Sequence, residues 1–538
     1  MKKDKIYIKH WLEFKPYNNE SQVDLEYLKI CNKIYSKIFK STSEIVIGYI
    51  GKENFKKFIC FLVCYFEDKI SEIGLWETFQ VQYKKQYDKH LPLFEIDESD
   101  YFEDDINYGD VAFLTWYYLN KIQQDHIISP YNDFIYDIAA ATTHVFEKEY
   151  EYVPENPRLQ EYYTFVKTAD FYAIRDFIQK VFFDGYLFFP DIRRRFDEDV
   201  EEMLEENEEI ADHMKMAYIR EMDQKFTFNR KSVLLTMTAA EWTSHFLKHK
   251  KIKHKTDFES FSKHISGFFL YKGQDENYIY LEHIASGKPF DLYKESFDHY
   301  EELENDTIVW IGMVQWKHNW WFAGNYTTQK FNADLILNLK NSLEARAQVN
   351  FLNDPQKVKE VLEKQDKAFL DFNNGLRTVN IDHNELHDFT KKYFNFYTDS
   401  LQLSEEEKEA SRKRVKEDGL IATGLDDDEL LYDEDEFIVT VFFNPNKGME
   451  IVEFVDHLFP ETSDEFEELD RDDVIHLIFH PYHSPEFVSY YLERYNAQIV
   501  PLKEDYLVRN YMKNLDFLLQ FSKCKSYEDE PQVTLFDF

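Results

Sequence analysis

Apolar residues recur every three or four positions through much of the first half of the chain. Gly109–Ile122 (GDVAFLTWYYLNKI), Pro130–Tyr150 (PYNDFIYDIAAATTHVFEKEY) and Asp170–Phe183 (DFYAIRDFIQKVFF) each place an apolar stripe on a helix. Ser129-Pro130 is expected to open the second of these. The serine accepts a bond from a free N–H, and proline at the first turn lacks the N–H that would be orphaned. VPENPRLQEYY, from Val153, carries two prolines and is expected to close a first helical domain near residue 160. Phe196–Met222 (FDEDVEEMLEENEEIADHMKMAYIREM) is rich in glutamate with few apolar positions, which predicts an exposed acidic helix.

The period changes after about residue 256. ISGFFLYKGQDENYIYLEHIASGKPFDLY reads as short strands broken at Gly-Gln-Asp-Glu-Asn and Ser-Gly-Lys-Pro, and TIVWIGMVQWKHNWWFAGNY as a further hairpin. With Lys317-His318-Asn319 as its loop, Trp316 would face Trp320, and Trp310, Val314, Phe322, Trp316 and Trp320 would share one face, with Trp321 on the other. So many short strands predict a small SH3-like β-barrel. Helical spacing returns over 331–420, followed by an acidic linker at 421–436. In the last part, EFIVTVFF reads as a strand, MEIVEFVDHLF as a helix, Ser484-Pro485-Glu486 as a helix cap, AQIVPL as a strand and YLVRNYMKNLDFLLQFSK as a helix. The expected class is α+β: a mostly helical multi-domain chain with a central barrel and a mixed α/β C-terminal domain. The expected boundaries are 1–160, 161–255, 256–330, 331–420, 421–436 and 437–538.

Composition sharpens this plan. Forty-nine Phe and 37 Tyr among 538 residues supply ample core. The formal net charge of −39 works against nucleic-acid binding over the whole surface and against anionic membranes. The longest apolar run, Phe58–Phe66 (FICFLVCYF), is far shorter than the ~18–20 residues of a membrane span. MKKDKIYIKHW lacks an apolar stretch of signal-peptide length, so a cytoplasmic location is expected. Cys31, Cys60, Cys64 and Cys524 read as buried reduced thiols.

Candidate chemistry is sparse. His383-Asn384-Glu385-Leu386-His387 has Asn where the helical zinc-protease pattern needs Glu, and it reads better as a capping box from Asp382 to Glu385. His476, His480 and His483 form a looser cluster before a helix break. Glu209 and His213 are four apart, not the three of a di-iron helix, and 426–436 lacks the central glycine of a calcium loop. No phosphate loop, dinucleotide fingerprint or nucleophile elbow is present, so no catalytic residue, metal or cofactor is assigned and an enzyme ranks below a binding protein. KHKKIKHK is the main basic island. With its lysines Lys248, Lys250, Lys251, Lys253 and Lys255, it would give a nucleic-acid groove only by converging with the tryptophan face. Arg193–Arg195 and Arg412–Arg414 are smaller basic groups.

The tail PQVTLFDF pairs Gln532 with Leu535 and Phe536. It resembles the peptides by which bacterial proteins dock on the replication sliding clamp, although Val533 and Leu535 would equally suit a last strand. IYIKHWLEFKPY, GDVAFLTWYYLN, ISPYNDFIYDIA, VQWKHNWWFAG and NLDFLLQFSK together resemble a family of uncharacterised Bacteroidetes proteins, classed as a domain of unknown function. That resemblance implies a cytosolic bacterial protein and supplies no activity or ligand. The reading is a non-enzymatic adaptor that takes a protein or peptide partner, with Trp310, Trp316 and Trp320 as candidate contacts. The alternatives are a replication or repair accessory factor docking on the clamp through its tail, and an enzyme with a site assembled in space.

Overall fold

The computed structural model describes residues 5–38, 40–96, 99, 101–103, 105–123, 126–165, 170–206, 211–252, 258, 261, 264–297, 302–342, 349, 355–401, 404–406, 408–409, 437–455, 458–459 and 470–528. The chain divides into two compact units, Met1–Ser262 with Asp505–Cys524, and Lys263–Glu504 with Lys525–Phe538.

The first unit is helical: α1 (Ile8–Leu12), α2 (Gln22–Lys37), α3 (Lys40–Ile70), α4 (Leu75–Tyr87), α5 (Tyr108–Ile122), α6 (Asp133–Glu149), α7 (Pro157–Tyr162), α8 (Phe171–Phe183), α9 (Arg194–Glu206), α10 (Asp212–Phe228) and α11 (Ala239–His249). The apolar run in α3 is its axis, with every residue from Phe58 to Phe66 buried. Rings meet across helices: Phe66 stacks on Phe146 at 4.4 Å and Phe79 on Phe113 at 5.5 Å. Burying each such side chain stabilises by roughly 1.5–3 kcal/mol. Helix α6 starts three residues later than the Ser129-Pro130 pair suggested, because the Ser129 hydroxyl closes a turn by accepting from the Tyr131 N–H at 3.2 Å. The acidic segment is interrupted into α9 and α10, and no residue of α9 is buried.

Two helices near the C-terminus, which sequence placed in the last domain, complete this unit. In that stretch Asn510 donates to the Leu93 carbonyl at 2.8 Å, Phe517 meets Tyr83 at 5.7 Å and Phe521 meets Trp116 at 4.7 Å.

The second unit begins with β1 (His264–Gln274), β2 (Tyr278–His283), β3 (Pro289–Tyr293), β4 (Ile308–Trp316) and β5 (Asn319–Gln329). They close into a barrel in the order β1-β2-β3-β5-β4, with β4 returning to β1. All pairings are antiparallel except β3–β5, which are parallel at Leu292–Trp320. An SH3-like barrel keeps its strands in chain order with the last beside the first. Here β5 lies between β3 and β4, which is the five-stranded Greek-key order of the OB-fold, so the strand order corrects the SH3 reading. Ile265, Phe269, Leu281, Phe290, Leu292, Ile311 and Met313 fill the interior.

Beyond the barrel lie α12 (Ala333–Asn341), α13 (Pro355–Phe372), β6 (Thr378–Asp382), α14 (Leu386–Ser400), β7 (Ile438–Asn444), β8 (Gly448–Glu453), α15 (Arg471–Phe479), α16 (Pro485–Arg494) and α17 (Asn496–Ile499). The order β6-β7-β8 forms an antiparallel sheet, on which Phe369, Tyr393 and Tyr397 pack against Val441 and Phe443. GMEIVE is strand, not helix, because it pairs residue for residue with IVTVFFN across a turn at Pro445–Lys447. AQIVPL is helical, not strand: α17 runs into a 3₁₀ turn over Val500–Glu504. The Ser484 cap is as expected, with its hydroxyl accepting from the Phe487 N–H at 3.1 Å. The α+β class therefore stands. The 421–436 linker lies outside the described residues.

Candidate partner-binding face

The β4–β5 hairpin turns on two residues, Lys317 and His318, both with positive φ (48° and 70°). Trp316 thus pairs with Asn319, Gln315 with Trp320, Val314 with Trp321 and Met313 with Phe322. A three-residue loop would have shifted this register by one, and such a slip moves side chains to the opposite face. Trp320 and Phe322 consequently pack on the barrel interior, while Trp316 and Trp321 share the outer side with rings 5.0 Å apart. The expected common face of Trp316 and Trp320 is not formed. Trp316 is only 3% exposed, and Trp310 and Trp320 are half-buried.

The outer side carries a different run of rings. Tyr278 on β2 is paired with Tyr293 on β3, and their rings lie 5.8 Å apart. Tyr293 meets Trp321 on β5 at 5.0 Å, and Trp321 meets Trp316. The β3–β5 parallel contact is what brings these strands side by side. The Trp321 indole donates to the Trp316 carbonyl at 3.1 Å, and Lys317 Nζ sits 3.9 Å above the Trp316 ring. Tyr280, 36% exposed, extends the same face of β2. Sequence reasoning passed over Tyr278, Tyr280 and Tyr293. The alternation in NYIYLEH and DLY marked them as the outward positions opposite Ile279, Leu281 and Leu292.

The rim is acidic. Asp275, in the β1–β2 turn, accepts from the N–H groups of Asn277 and Tyr278 at 2.7 Å and from the Tyr280 hydroxyl at 2.5 Å; the Tyr280 bond chiefly holds its carboxyl below the usual range. Asp291 stands opposite Tyr280 across the β2–β3 pair, and Glu295 accepts from the Tyr293 hydroxyl, raising that phenol's pKa. Lys294 is drawn to the Asp275 carbonyl at 3.0 Å. Residues 264–329 hold ten carboxylates against four lysines and no arginine.

Lys248, Lys250 and Lys251 are exposed at the end of α11, in the first unit, and Lys250 donates to the Glu72 carbonyl; the tryptophans belong to the second unit. Lys253, Lys255, Gln532, Leu535, Phe536 and Arg412–Arg414 lie outside the described residues. Arg193, Arg194 and Arg195 pair with Asp197, Glu198 and Asp191. Asp382 caps the turn over His383–Glu385 by accepting from the Asn384 N–H at 2.9 Å. His480 and His483 stack at 4.3 Å, and the His476 ring lies 4.8 Å from His480. Among the described residues no group of three or more His, Cys, Asp or Glu is placed to hold a metal ion, and no helix is long and apolar enough to cross a membrane. All four cysteines are buried thiols.

Buried charge concentrates in the first unit. Asp110 accepts from Tyr65, Trp76 and Tyr101, each at 2.8 Å, and burial pushes its carboxyl up to about 6. Asp68 accepts from the Gly74 and Trp76 N–H groups and so caps α4 from the end of α3. Lys15 and Glu67 form a buried ion pair, joined by Asn156. The void beside them is about 20 Å³, enough for roughly one water and for no substrate. A cleft of about 750 Å³ lies elsewhere in this unit, lined by Lys84, His90, Tyr101, Phe102, Glu103, Asp105 and Tyr150. Its lysine is already paired with Glu103 at 2.7 Å.

No curated protein and no solved structure matches the chain. A family profile described as "Protein of unknown function (DUF3843)" matches residues 5–283, from α1 through the helical unit to β2 of the barrel. The chain belongs to the DUF3843 family of proteins of unknown function.

Proposed function

We propose that this protein is a non-enzymatic adaptor of the bacterial cytosol, in the Bacteroidetes lineage its sequence resembles, and that its barrel takes a protein or peptide partner on the outer ring face. The observation that carries this reading is the run Tyr278–Tyr293–Trp321–Trp316, which crosses the four strands β2, β3, β5 and β4 and is continued by the exposed Tyr280. Aromatic side chains offer large contact area at low entropic cost and dominate the energetics of interfaces. Affinity capture from the native host with wild-type protein, Tyr280→Ala and Trp321→Ala tests it. A partner recovered by the wild type and lost from both variants, with thermal unfolding preserved, supports the reading. Equal recovery by all three removes it.

The clamp reading rests on the pattern Gln532-x-x-Leu535-Phe536, which offers two adjacent apolar anchors to a pocket. Clamp pull-down by the wild type and not by Leu535→Ala/Phe536→Ala supports it, and equal recovery disposes of it.

A further inference from the structure

Resting on that reading of the ring face, we infer that its occupant is an extended, proline-containing peptide bearing arginine or lysine, and not a nucleic-acid strand. The rings alone do not distinguish the two, since bases and prolines both stack on Tyr and Trp. The charge around them does. Asp275, Asp291 and Glu295 border the rings from the β1–β2 turn, β3 and the turn that follows it, and Asp275 and Asp291 are both exposed. Of the lysines at this face, Lys294 reaches the Asp275 carbonyl and Lys317 lies on the Trp316 ring. A phosphate backbone would lie against carboxylates, whereas a guanidinium gains charge-assisted bonds to them. The spacing also suits an extended chain. Successive rings 5.0–5.8 Å apart form a continuous aromatic row across the strands, on which a polyproline-type chain can stack with little ordering cost of its own.

The test uses the full chain and four labelled probes: repeats of Pro-Arg, Pro-Gln and Pro-Glu of equal length, and oligothymidylate. Anisotropy titrations should show Pro-Arg binding tightest, Pro-Gln weaker by about tenfold, and Pro-Glu and oligothymidylate not at all, with Pro-Arg affinity falling as salt rises. Trp321→Ala should weaken Pro-Arg binding by about tenfold or more. Asp275→Asn with Asp291→Asn should bring Pro-Arg down to the Pro-Gln level, because an amide oxygen at position 275 still accepts the turn N–H groups and the amide N–H can donate to the Tyr280 hydroxyl, while the negative charge is lost. Equal binding of Pro-Arg and Pro-Gln, both lost in Trp321→Ala, would overturn the charge preference and leave the ring face standing. Pro-Arg binding indifferent to Trp321→Ala would overturn the face itself. Preference for oligothymidylate, or no binding of any peptide, would overturn the inference.

Discussion

Asp110 offers the sharpest test of how the helical unit is held together. Its carboxylate is fully buried and is the acceptor for the Tyr65 hydroxyl, the Trp76 indole and the Tyr101 hydroxyl, all at 2.8 Å. Asp110→Ala strands three buried donors, each costing about 1–3 kcal/mol, so a loss of roughly 3–9 kcal/mol is expected. Asp110→Asn keeps an acceptor and removes the charge, which isolates the electrostatic part. Burial raises the native carboxyl from 3.8 to about 6. Between about pH 4 and 6 the native state therefore binds more protons than the unfolded state, and stability falls as pH rises through that window. The full step is about 3 kcal/mol, of which about 1.5 falls between roughly pH 5 and 7.5. Urea unfolding followed by tryptophan fluorescence at several pH values, wild type minus Asp110→Asn, reads that step free of the other buried acids. A difference that stays flat with pH, or an Asp110→Ala cost under about 1 kcal/mol, would refute the reasoning.

Other perturbations give distinct outcomes. Asp68→Ala should cost about 1–2 kcal/mol in urea unfolding, because it uncaps α4. Trp320→Ala should lower the barrel's stability by about 2–4 kcal/mol because its ring packs inward, whereas Trp321→Ala should leave the fold and lose partner binding; calorimetry and binding together separate them. Lys317→Asn with His318→Gly should raise hairpin stability by about 0.5–1 kcal/mol, since both positions hold positive φ. Removing either partner of the Lys15–Glu67 pair by Lys15→Met or Glu67→Leu should cost about 3–5 kcal/mol, more than the double replacement, as urea unfolding of the three variants would read.

Helices α5, α6 and α8 and the β4–β5 hairpin were legible because their apolar spacing was regular. Burial along Phe58–Phe66 follows directly from that run. What failed lay where local pattern is ambiguous. GMEIVE has apolar residues that fit either period, and only pairing with β7 makes it a strand. Lys317-His318 lacks the Asn-Gly signature of a two-residue turn, so a longer loop looked natural and the faces of the tryptophans came out inverted. The β3–β5 contact, which assembles the ring run, is a long-range pairing that no local window contains. The helices over Tyr506–Ser522 are separated from their packing partners by hundreds of residues, and sequence adjacency assigned them to the wrong unit. The Asp110 site had no signal beyond one acid inside an apolar helix stripe.

The central claim is that the outer ring face of the barrel is where a partner docks. Photo-crosslinking tests it most directly, with a photoreactive phenylalanine at Tyr280 on the face and at Tyr152, exposed in the helical unit, as control. The account predicts one discrete adduct with a single protein from Tyr280, none from Tyr152, and loss of that adduct when Trp321→Ala is added. The same adduct from both positions, or one that survives Trp321→Ala, would contradict it.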